Sequence, residues 1–440
     1  MPKINVYTDE TIGQVRPIHG VNNGPVTYGA LVDVSDYFIS SGIPLVRLHD
    51  PNWPYPREVD IHIVFPDFDK DPSDPNSYDF SQTDEYLRTV LATGAKIVYR
   101  LGESIEHTER KYFVHPPKDY KKWAEICIGI IRHYNHGWAD GFHYGIEYWE
   151  IWNEPDIGDR MWTGSLKQHL ELYETASVAI KQFDPSLKIG GPAIANPTSD
   201  YVPEFLEHCR SRSLPLDFFS WHTYTADPQR IVSNAKHVRG LLDQYGYDKA
   251  ESHLNEWNYM TGDFAVVWNR GNEFYRKKVF DLQKGPEGAS FVSHVFNLLL
   301  DLPVDQANYY DGTPTALFCG MFDYHGVPQK TYYAFEAFEK LRQLPSRLRC
   351  ELSEEVDGLS SIAARDDEGN LGTIISNFSS EQRTVTLKLN GSLTSTAYSI
   401  DVYAIDEQHS LELVSSEGVE SGSLELTLPP YSIRYMKAGR

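Results

Sequence analysis

Eight short apolar segments, separated by helical patterns, constrain the fold of this chain more than any other feature. Most of these segments are continuous apolar runs, which are typical of parallel strands buried on both faces of a sheet. The predicted strands are Pro17–Asn22, Pro44–His49, Ala95–Leu101, Tyr148–Asn153, Leu187–Pro192, Phe218–Tyr224, Ser252–Glu256 and Asp305–Tyr310.

The segments between these strands have the period of amphipathic helices. Helices are predicted over about residues 83–92, 117–135, 165–182, 203–211, 229–245, 288–301 and 331–342. Eight strands alternating with helices predict an α/β fold, a (β/α)8 TIM barrel, which we assign to residues 12–343. A doubly wound open sheet is the main alternative. It is disfavoured because no GxGxxG or Walker loop follows any strand.

The pattern changes after about residue 344, where short alternating segments separated by turn clusters replace the helical period. The predicted strands are Leu359–Arg365, Gly372–Asn377, Thr384–Leu389, Tyr398–Ile405, Leu424–Leu428 and Ser432–Lys437. We assign residues 344–440 to a C-terminal antiparallel β-sandwich domain packed on the barrel. Residues 1–11, which alternate like a strand, are assigned to the same domain.

Composition excludes several classes of partner. The 440 residues carry 40 basic and 62 acidic side chains, a net charge of −22, which argues against binding nucleic acid or an anionic membrane surface. There is no apolar stretch of about 18 residues to span a membrane. The N-terminus lacks the charged start and apolar run of a signal peptide. We expect a cytoplasmic protein as the sequence stands, or a periplasmic or secreted one if a leader has been removed.

The cysteines and the metal motifs predict neither a disulfide framework nor a cofactor. Cys127, Cys209, Cys319 and Cys350 are far apart and form no CxxC pair, so we expect free thiols. The sequence has no HExxH motif and no Asp-x-Asp-x-Asp calcium loop. We therefore expect neither a metal nor another cofactor, and a homo-oligomer stays open.

Two glutamates beside tryptophans end two of the predicted strands. Residues 148–155 read Tyr-Trp-Glu-Ile-Trp-Asn-Glu-Pro, which places Glu154 at a strand end. Residues 251–258 place Glu256 beside Trp257. A carboxyl group among tryptophans is poorly solvated when ionised, so its pKa should rise toward the range of a general acid. A single such glutamate is more often solvated or salt-bridged, whereas two at facing strand ends indicate catalysis.

The distance between two such carboxyl groups decides which sugar chemistry they support. A gap of about 5 Å suits double displacement through a covalent intermediate, and about 6.5–9.5 Å suits inversion. The sequence leaves this gap open. Other polar or aromatic residues at the predicted strand ends are Asn22, His49, Asn153, His222, Tyr224, Tyr309 and Tyr310.

The Trp-Glu-Ile-Trp segment followed by Asn153-Glu154-Pro155 resembles the acid/base motif of clan A glycoside hydrolases. The wider pattern over about residues 15–340 resembles glycoside hydrolase family 39, the β-xylosidase and α-L-iduronidase group. It includes the segments 41–49, 190–192, 219–224 and 255–258. An added sandwich is also usual in that family.

This resemblance implies a retaining mechanism, with Glu154 as acid/base and Glu256 as nucleophile. Asn153 would bind the sugar 2-OH. His49, His222, Tyr224 and Trp257 would contact the sugar or the nucleophile, and the alternative is that the histidines are structural and that Tyr224 and Trp257 are core aromatics. Tyr310 falls where clan members often carry a tryptophan, so the specificity of the sugar subsite stays open.

Four functions are compatible with this pattern. The first is an exo-acting β-glycosidase of the β-xylosidase type, which takes a neutral sugar. The second is hydrolysis of a uronide, with Arg57 and Arg100 as the candidate cations for the uronate. The third is endo-acting hydrolysis of a polysaccharide, and the fourth is a non-catalytic carbohydrate-binding protein. The aromatic loop of residues 52–57 either walls the cleft or packs on the barrel rim.

Overall fold

The computed structural model describes residues 1–27, 30–51, 58–391, 398–419 and 422–439. Strand β1 (Lys3–Gly13) precedes a closed barrel of eight parallel strands. These are β2 (Gly20–Asn22), β3 (Leu45–Leu48), β4 (Lys96–Leu101), β5 (Tyr148–Ile151), β6 (Lys188–Ile194), β7 (Phe218–Thr225), β8 (Glu251–Tyr259) and β9 (Gln306–Tyr309). The predicted TIM barrel is confirmed, since each predicted strand overlaps one of the eight.

Helices cover the outside of the barrel. They are α1 (Ser35–Ser40), α2 (Ile61–Val64), α3 (Ser81–Ala92), α4 (Tyr120–His136), α5 (Leu166–Phe183), α6 (Tyr201–Ser211), α7 (Pro228–Gln244), α8 (Phe264–Trp268), α9 (Glu273–Lys284), α10 (Pro286–Leu299) and α11 (Lys330–Arg342). Short 3-10 turns occupy Pro75–Ser77 and Gly158–Arg160.

Local sequence explains which of these helices are predictable. Helix α5 begins with a capping box, in which the Ser165 and Gln168 side chains satisfy each other's backbone N–H. Helices α1, α2 and α8 are not predicted because they have only six, four and five residues. Helix α9 escapes prediction because, of its 12 residues, only Val279 and Gln283 are buried, too few for an apolar stripe.

The remaining strands form a second domain with β1. They are β10 (Ser346–Leu352), β11 (Leu359–Arg365), β12 (Leu371–Asn377), β13 (Arg383–Asn390), β14 (Tyr398–Ile405), β15 (Ser410–Val419), β16 (Ser423–Leu428) and β17 (Ser432–Gly439). The sheet order is β15-β14-β17-β12-β11-β10-β1-β13-β16. Apolar side chains from eight of these nine strands, all but β15, share one core.

Strand β1 lies inside this sheet rather than at its edge. It pairs antiparallel with β10 and parallel with β13, so the sheet is mostly rather than wholly antiparallel. Strands β10 and β15 are not predicted. In β10, three of the seven residues are charged, and in β15 most described side chains are exposed, so neither strand shows a clear apolar alternation.

Helix α10 joins the two domains. Its Ser290 carbonyl accepts a hydrogen bond from Ser376 Oγ at 2.8 Å, and Asn297 Nδ2 donates to Ser360 Oγ at 2.9 Å. The Phe378 ring of the sheet domain lies 5.3 Å from the Phe291 ring, centroid to centroid. The polar and aromatic contacts together fix the sheet domain against the outside of the barrel.

No helix within the described ranges is long and apolar enough to cross a membrane. All four cysteines are free thiols, and Cys350 is the partly exposed one.

Candidate active site

Glu154 follows β5 on a tightly turned backbone. Trp152 has φ 68° and Glu154 has φ 42°, values in the left-handed region that non-glycine residues adopt only when held by their surroundings. Two hydrogen bonds hold this turn, from Trp152 N to Leu101 O at 2.8 Å and from Glu154 N to Ala193 O at 2.9 Å. The turn is therefore fixed to the ends of β4 and β6.

Glu256 lies within β8 and is held by two donors. Arg47 Nη1 donates to its Oε1 at 2.8 Å, and the Tyr224 hydroxyl donates to its Oε2 at 2.8 Å. Its carboxylate is 6% exposed. A guanidinium and a phenol thus fix both carboxylate oxygens.

The two glutamates meet at one histidine. Nδ1 of His222 lies 2.7 Å from Glu154 Oε1 and 3.5 Å from Glu256 Oε2. One carboxylate oxygen from each glutamate and a ring nitrogen of His222 all lie within 4.8 Å of one another. This spacing matches the gap of about 5 Å expected for double displacement and is shorter than the 6.5–9.5 Å expected for inversion.

Burial shifts the pKa values of Glu154 and His222 in opposite directions. Loss of solvent, followed by the nearby charge of Asp156, raises the pKa of Glu154 to about 8. Burial lowers the pKa of His222 to about 4. At neutral pH, Glu154 is therefore a protonated acid beside a neutral imidazole, which suits proton donation to a leaving group.

Asn153 presents a free donor beside the two glutamates. Arg47 Nη2 donates to its Oδ1 at 2.6 Å, which fixes the orientation of the amide. Its Nδ2 is buried and has no hydrogen-bond partner in the part of the chain that the structure describes. An unpaired donor at this position fits a ligand hydroxyl.

His49 lies close to Glu256 and is held in place by Arg100. Arg100 Nε donates to His49 Nδ1 at 3.1 Å, so the ring proton of a neutral His49 belongs on Nε2. That Nε2 lies 3.1 Å from Asp50 Oδ2 and 3.7 Å from Glu256 Oε1. Arg100 also pairs with Asp60 at 2.7 Å, which places its guanidinium behind His49.

Tyr310 lies on the pocket side of the barrel, whereas Trp257 lies on the helix side. The Tyr310 ring is buried 6.4 Å from the Tyr224 ring, at the pocket side of β9. Trp257 is fully buried and packs 5.7 Å from Phe296 of α10. The prediction that Trp257 lines the pocket is therefore corrected. Successive side chains of a strand point to opposite faces, so Glu256 faces inward and Trp257 faces the helices.

Glu150 is a buried partner of Arg47 that was not predicted. Glu150, in the middle of β5, accepts from Arg47 Nε at 2.6 Å and from Asn255 Nδ2 at 2.5 Å. The signal for it was a charged residue inside an otherwise apolar strand, because such a residue requires a buried partner. The loop Asn52–Arg57, and with it the candidate cation Arg57, lies outside the described residues.

Within the described ranges, two clusters combine residue types that bind metals, with ligand atoms within 4.8 Å of one another. They are Asp60–His62–Glu103 and Glu154–His222–Glu256. Arg100 already pairs with Asp60, and Arg47 already pairs with Glu256. Each cluster thus already has an arginine of the protein itself on one of its carboxylates.

Comparison with known proteins finds similarity to glycoside hydrolases. The family description "Glycosyl hydrolases family 39" matches residues 58–242. A β-xylosidase from Caldicellulosiruptor saccharolyticus is 27% identical over 311 residues, which is 66% of this chain and 58% of the relative. The chain therefore spans less than two thirds of that relative's length.

Solved structures extend the likeness to the whole chain. A glucosidase from Croceicoccus marinus superposes with a TM-score of 0.82 at 25% identity and covers 100% of this chain and 99% of its own. A monomeric β-xylosidase from Caulobacter crescentus gives a TM-score of 0.74 at 18% identity, with 99% of each chain covered. The second likeness concerns the fold alone.

Proposed function

Because this chain belongs to glycoside hydrolase family 39, we propose that it is a retaining, exo-acting β-glycosidase that removes a terminal neutral sugar, with a β-xyloside as its substrate. The observation that carries the proposal is the pair Glu154 and Glu256, with oxygens within 4.8 Å of one another. The raised pKa of Glu154, about 8, supports the division of roles.

In the first step, Glu256 attacks the anomeric carbon as a carboxylate. The bond from that carbon to the aglycone oxygen breaks, and Glu154 gives its proton to the departing oxygen. The free Nδ2 of Asn153 hydrogen-bonds the sugar 2-OH, a contact that strengthens as positive charge develops on the ring. The product is a glycosyl ester of Glu256 and a free alcohol.

In the second step, Glu154 acts as a base. Now ionised, it takes a proton from water as that water attacks the anomeric carbon and releases the Glu256 carboxylate. Two displacements at one carbon return the original anomeric configuration. Arg47 and Tyr224 hold the Glu256 oxygens in place through both steps.

Among the described residues, the charges around the site favour a neutral sugar over a uronide. A bidentate cation is needed to bind a uronate carboxylate, and Arg100 is already engaged by His49 and Asp60. The likeness to a glucosidase over 100% of the chain supports a second candidate, a β-glucoside. Endo-acting hydrolysis is the other alternative within the same mechanism.

A panel of aryl glycosides tests the proposal. We expect turnover of the xyloside, and a loss of more than about 10³-fold on Glu256→Ala. Azide should partly restore turnover and yield a glycosyl azide of inverted configuration, because it replaces the missing carboxylate. Glu207→Ala, an exposed glutamate of α6 paired with Arg210, is the matched control and should leave activity unchanged.

Other results would change the substrate or the function that we assign to the chain. Turnover of a glucoside alone selects the second candidate, and turnover of a uronide alone overturns the neutral-sugar proposal. Sugar binding without turnover of any glycoside would indicate a non-catalytic carbohydrate-binding protein.

A further inference from the structure

Asp156 ties the loop that carries Glu154 to the neighbouring strand. Its Oδ1 accepts from Ala195 N at 3.0 Å, and its Oδ2 accepts from Asn196 N at 2.9 Å. Both donors belong to the segment that follows β6. Each oxygen of the Asp156 carboxylate is thus used to fasten one loop to the next.

The Glu154 loop needs such a fastening. Trp152 and Glu154 are in the left-handed region, and so is Ala193, with φ 53°. Glu154 N donates to the Ala193 carbonyl at 2.9 Å, which joins two strained backbones directly. Asp156 adds a second link two residues further on, so the turn is held on both sides of Glu154.

Asp156 also sets part of the charge around Glu154. From other elements, His222 of β7 contacts the Glu154 carboxyl, and a Glu256 oxygen of β8 lies within 4.8 Å of it. The charges of His49, Asp50 and Arg47, at the end of β3, also act on it. After burial, Asp156 is the largest of the influences that raise the pKa of Glu154. Asp50 raises it less, and His49 and Arg47 lower it.

We propose that Asp156 is a positioning residue for the acid/base Glu154, fixing its backbone by the double hydrogen bond to the segment after β6 and adding a negative charge that acts on its carboxyl group. This inference rests on the proposed function of Glu154. Asp156 acts through that residue and not on the sugar. It keeps the acid protonated for the first step and makes it a stronger base for the second.

Asp156→Asn tests this role, since it keeps the size of the side chain and removes its charge and one of its two hydrogen-bond acceptors. We expect the alkaline limb of kcat/KM, set by Glu154, to move to lower pH by about half to one unit. The loss in kcat should be about 10-fold larger for poor than for good leaving groups, because only poor ones need the proton. Asp156→Glu keeps the charge and should retain the wild-type limb.

Asp217 provides the matched control. Its carboxylate accepts from Ile189 N at 2.8 Å, so it fastens β6 in the same way at the opposite end of the barrel. Asp217→Asn should leave both the pH limb and the leaving-group dependence unchanged. Circular dichroism and thermal melting establish that each variant is folded.

A folded Asp156→Asn with the wild-type alkaline limb and an equal loss on all leaving groups would overturn the role of Asp156. If Asp156→Asn does not fold, Asp156→Ser, smaller and also neutral, is judged by the same two measurements. A wild-type chain that hydrolyses no glycoside would instead overturn the proposed function, so the two failures are distinguishable.

Discussion

Glu154 and Glu256 are both buried glutamates at the barrel mouth, but their neighbours differ in charge. Glu256 contacts the Arg47 guanidinium and the Tyr224 hydroxyl. Glu154 contacts His222, whose pKa is lowered to about 4 by burial, so no cation among the described residues touches it at neutral pH. The surroundings, more than the side chains, divide the roles of acid and nucleophile.

Glu154 should make stability depend on pH. Its pKa is raised to about 8 in the folded chain, against about 4.3 when unfolded, so the stability it contributes is complete below about pH 4 and is lost as pH rises to about 8. Glu154→Gln cannot ionise. We expect it to exceed the wild type in unfolding free energy by a few kcal/mol at pH 8 and to equal it near pH 4. Denaturant titration at both pH values measures this, and an equal difference at both would contradict the assignment.

Asn153→Ala should show what its free amide donor binds. Loss of Nδ2 should lower kcat/KM by about 10²–10³-fold, because the contact to the sugar 2-OH strengthens in the transition state. A 2-deoxy glycoside offers no such hydroxyl, so the same substitution should cost little there. Kinetics of the wild type and of Asn153→Ala, each on both substrates, form a double-mutant cycle. Equal losses on the two sugars would show that Asn153 acts elsewhere.

At the scale of elements, Arg47 joins three barrel strands. It pairs with Glu150 of β5 and Glu256 of β8 from its place on β3. A lysine has one ammonium group and cannot replace this fork of donors. We therefore expect Arg47→Lys to lower the unfolding free energy by about 3 kcal/mol. Arg210→Lys, at an exposed pair with Glu207, should change it by less than about 0.5 kcal/mol. Denaturant unfolding measures the unfolding free energy of Arg47→Lys and Arg210→Lys. Equal losses in the two variants would contradict the idea that Arg47 stabilises the barrel by linking three strands.

The barrel strands and the site residues show which parts of this structure can be predicted from the sequence and which cannot. All eight barrel strands were predictable because burial on both faces leaves mostly apolar segments at regular spacing. Glu154 and Glu256 attracted attention because each ends such a segment beside a tryptophan. Trp257 was misplaced because strand parity decides which face it occupies. The links from Arg47 to Glu150 and from Asp156 to Asn196 depend on which loops meet in space, and no local pattern records that.

For the molecule as a whole, the contact between barrel and sheet domain predicts a single unfolding transition. Phe378 lies 5.3 Å from Phe291 and 5.7 Å from Tyr259, ring to ring, so Phe378→Ala should destabilise both domains together by about 2 kcal/mol. Phe274→Ala, at a side chain 93% exposed, should have no effect. Calorimetry would show one shifted peak, whereas two peaks with only one shifted would mean that the domains unfold independently.

The interior place of β1 has a consequence for synthesis. Lys3 donates its backbone N–H to the side chain of Ser353, 350 residues later, and the intervening chain is the whole barrel. On the ribosome, β1 therefore waits unpaired until β10 and β13 follow. Seven of the eight barrel pairings join consecutive strands, and the barrel closes when β9 reaches β2, so the sheet is completed only after the barrel that separates its strands.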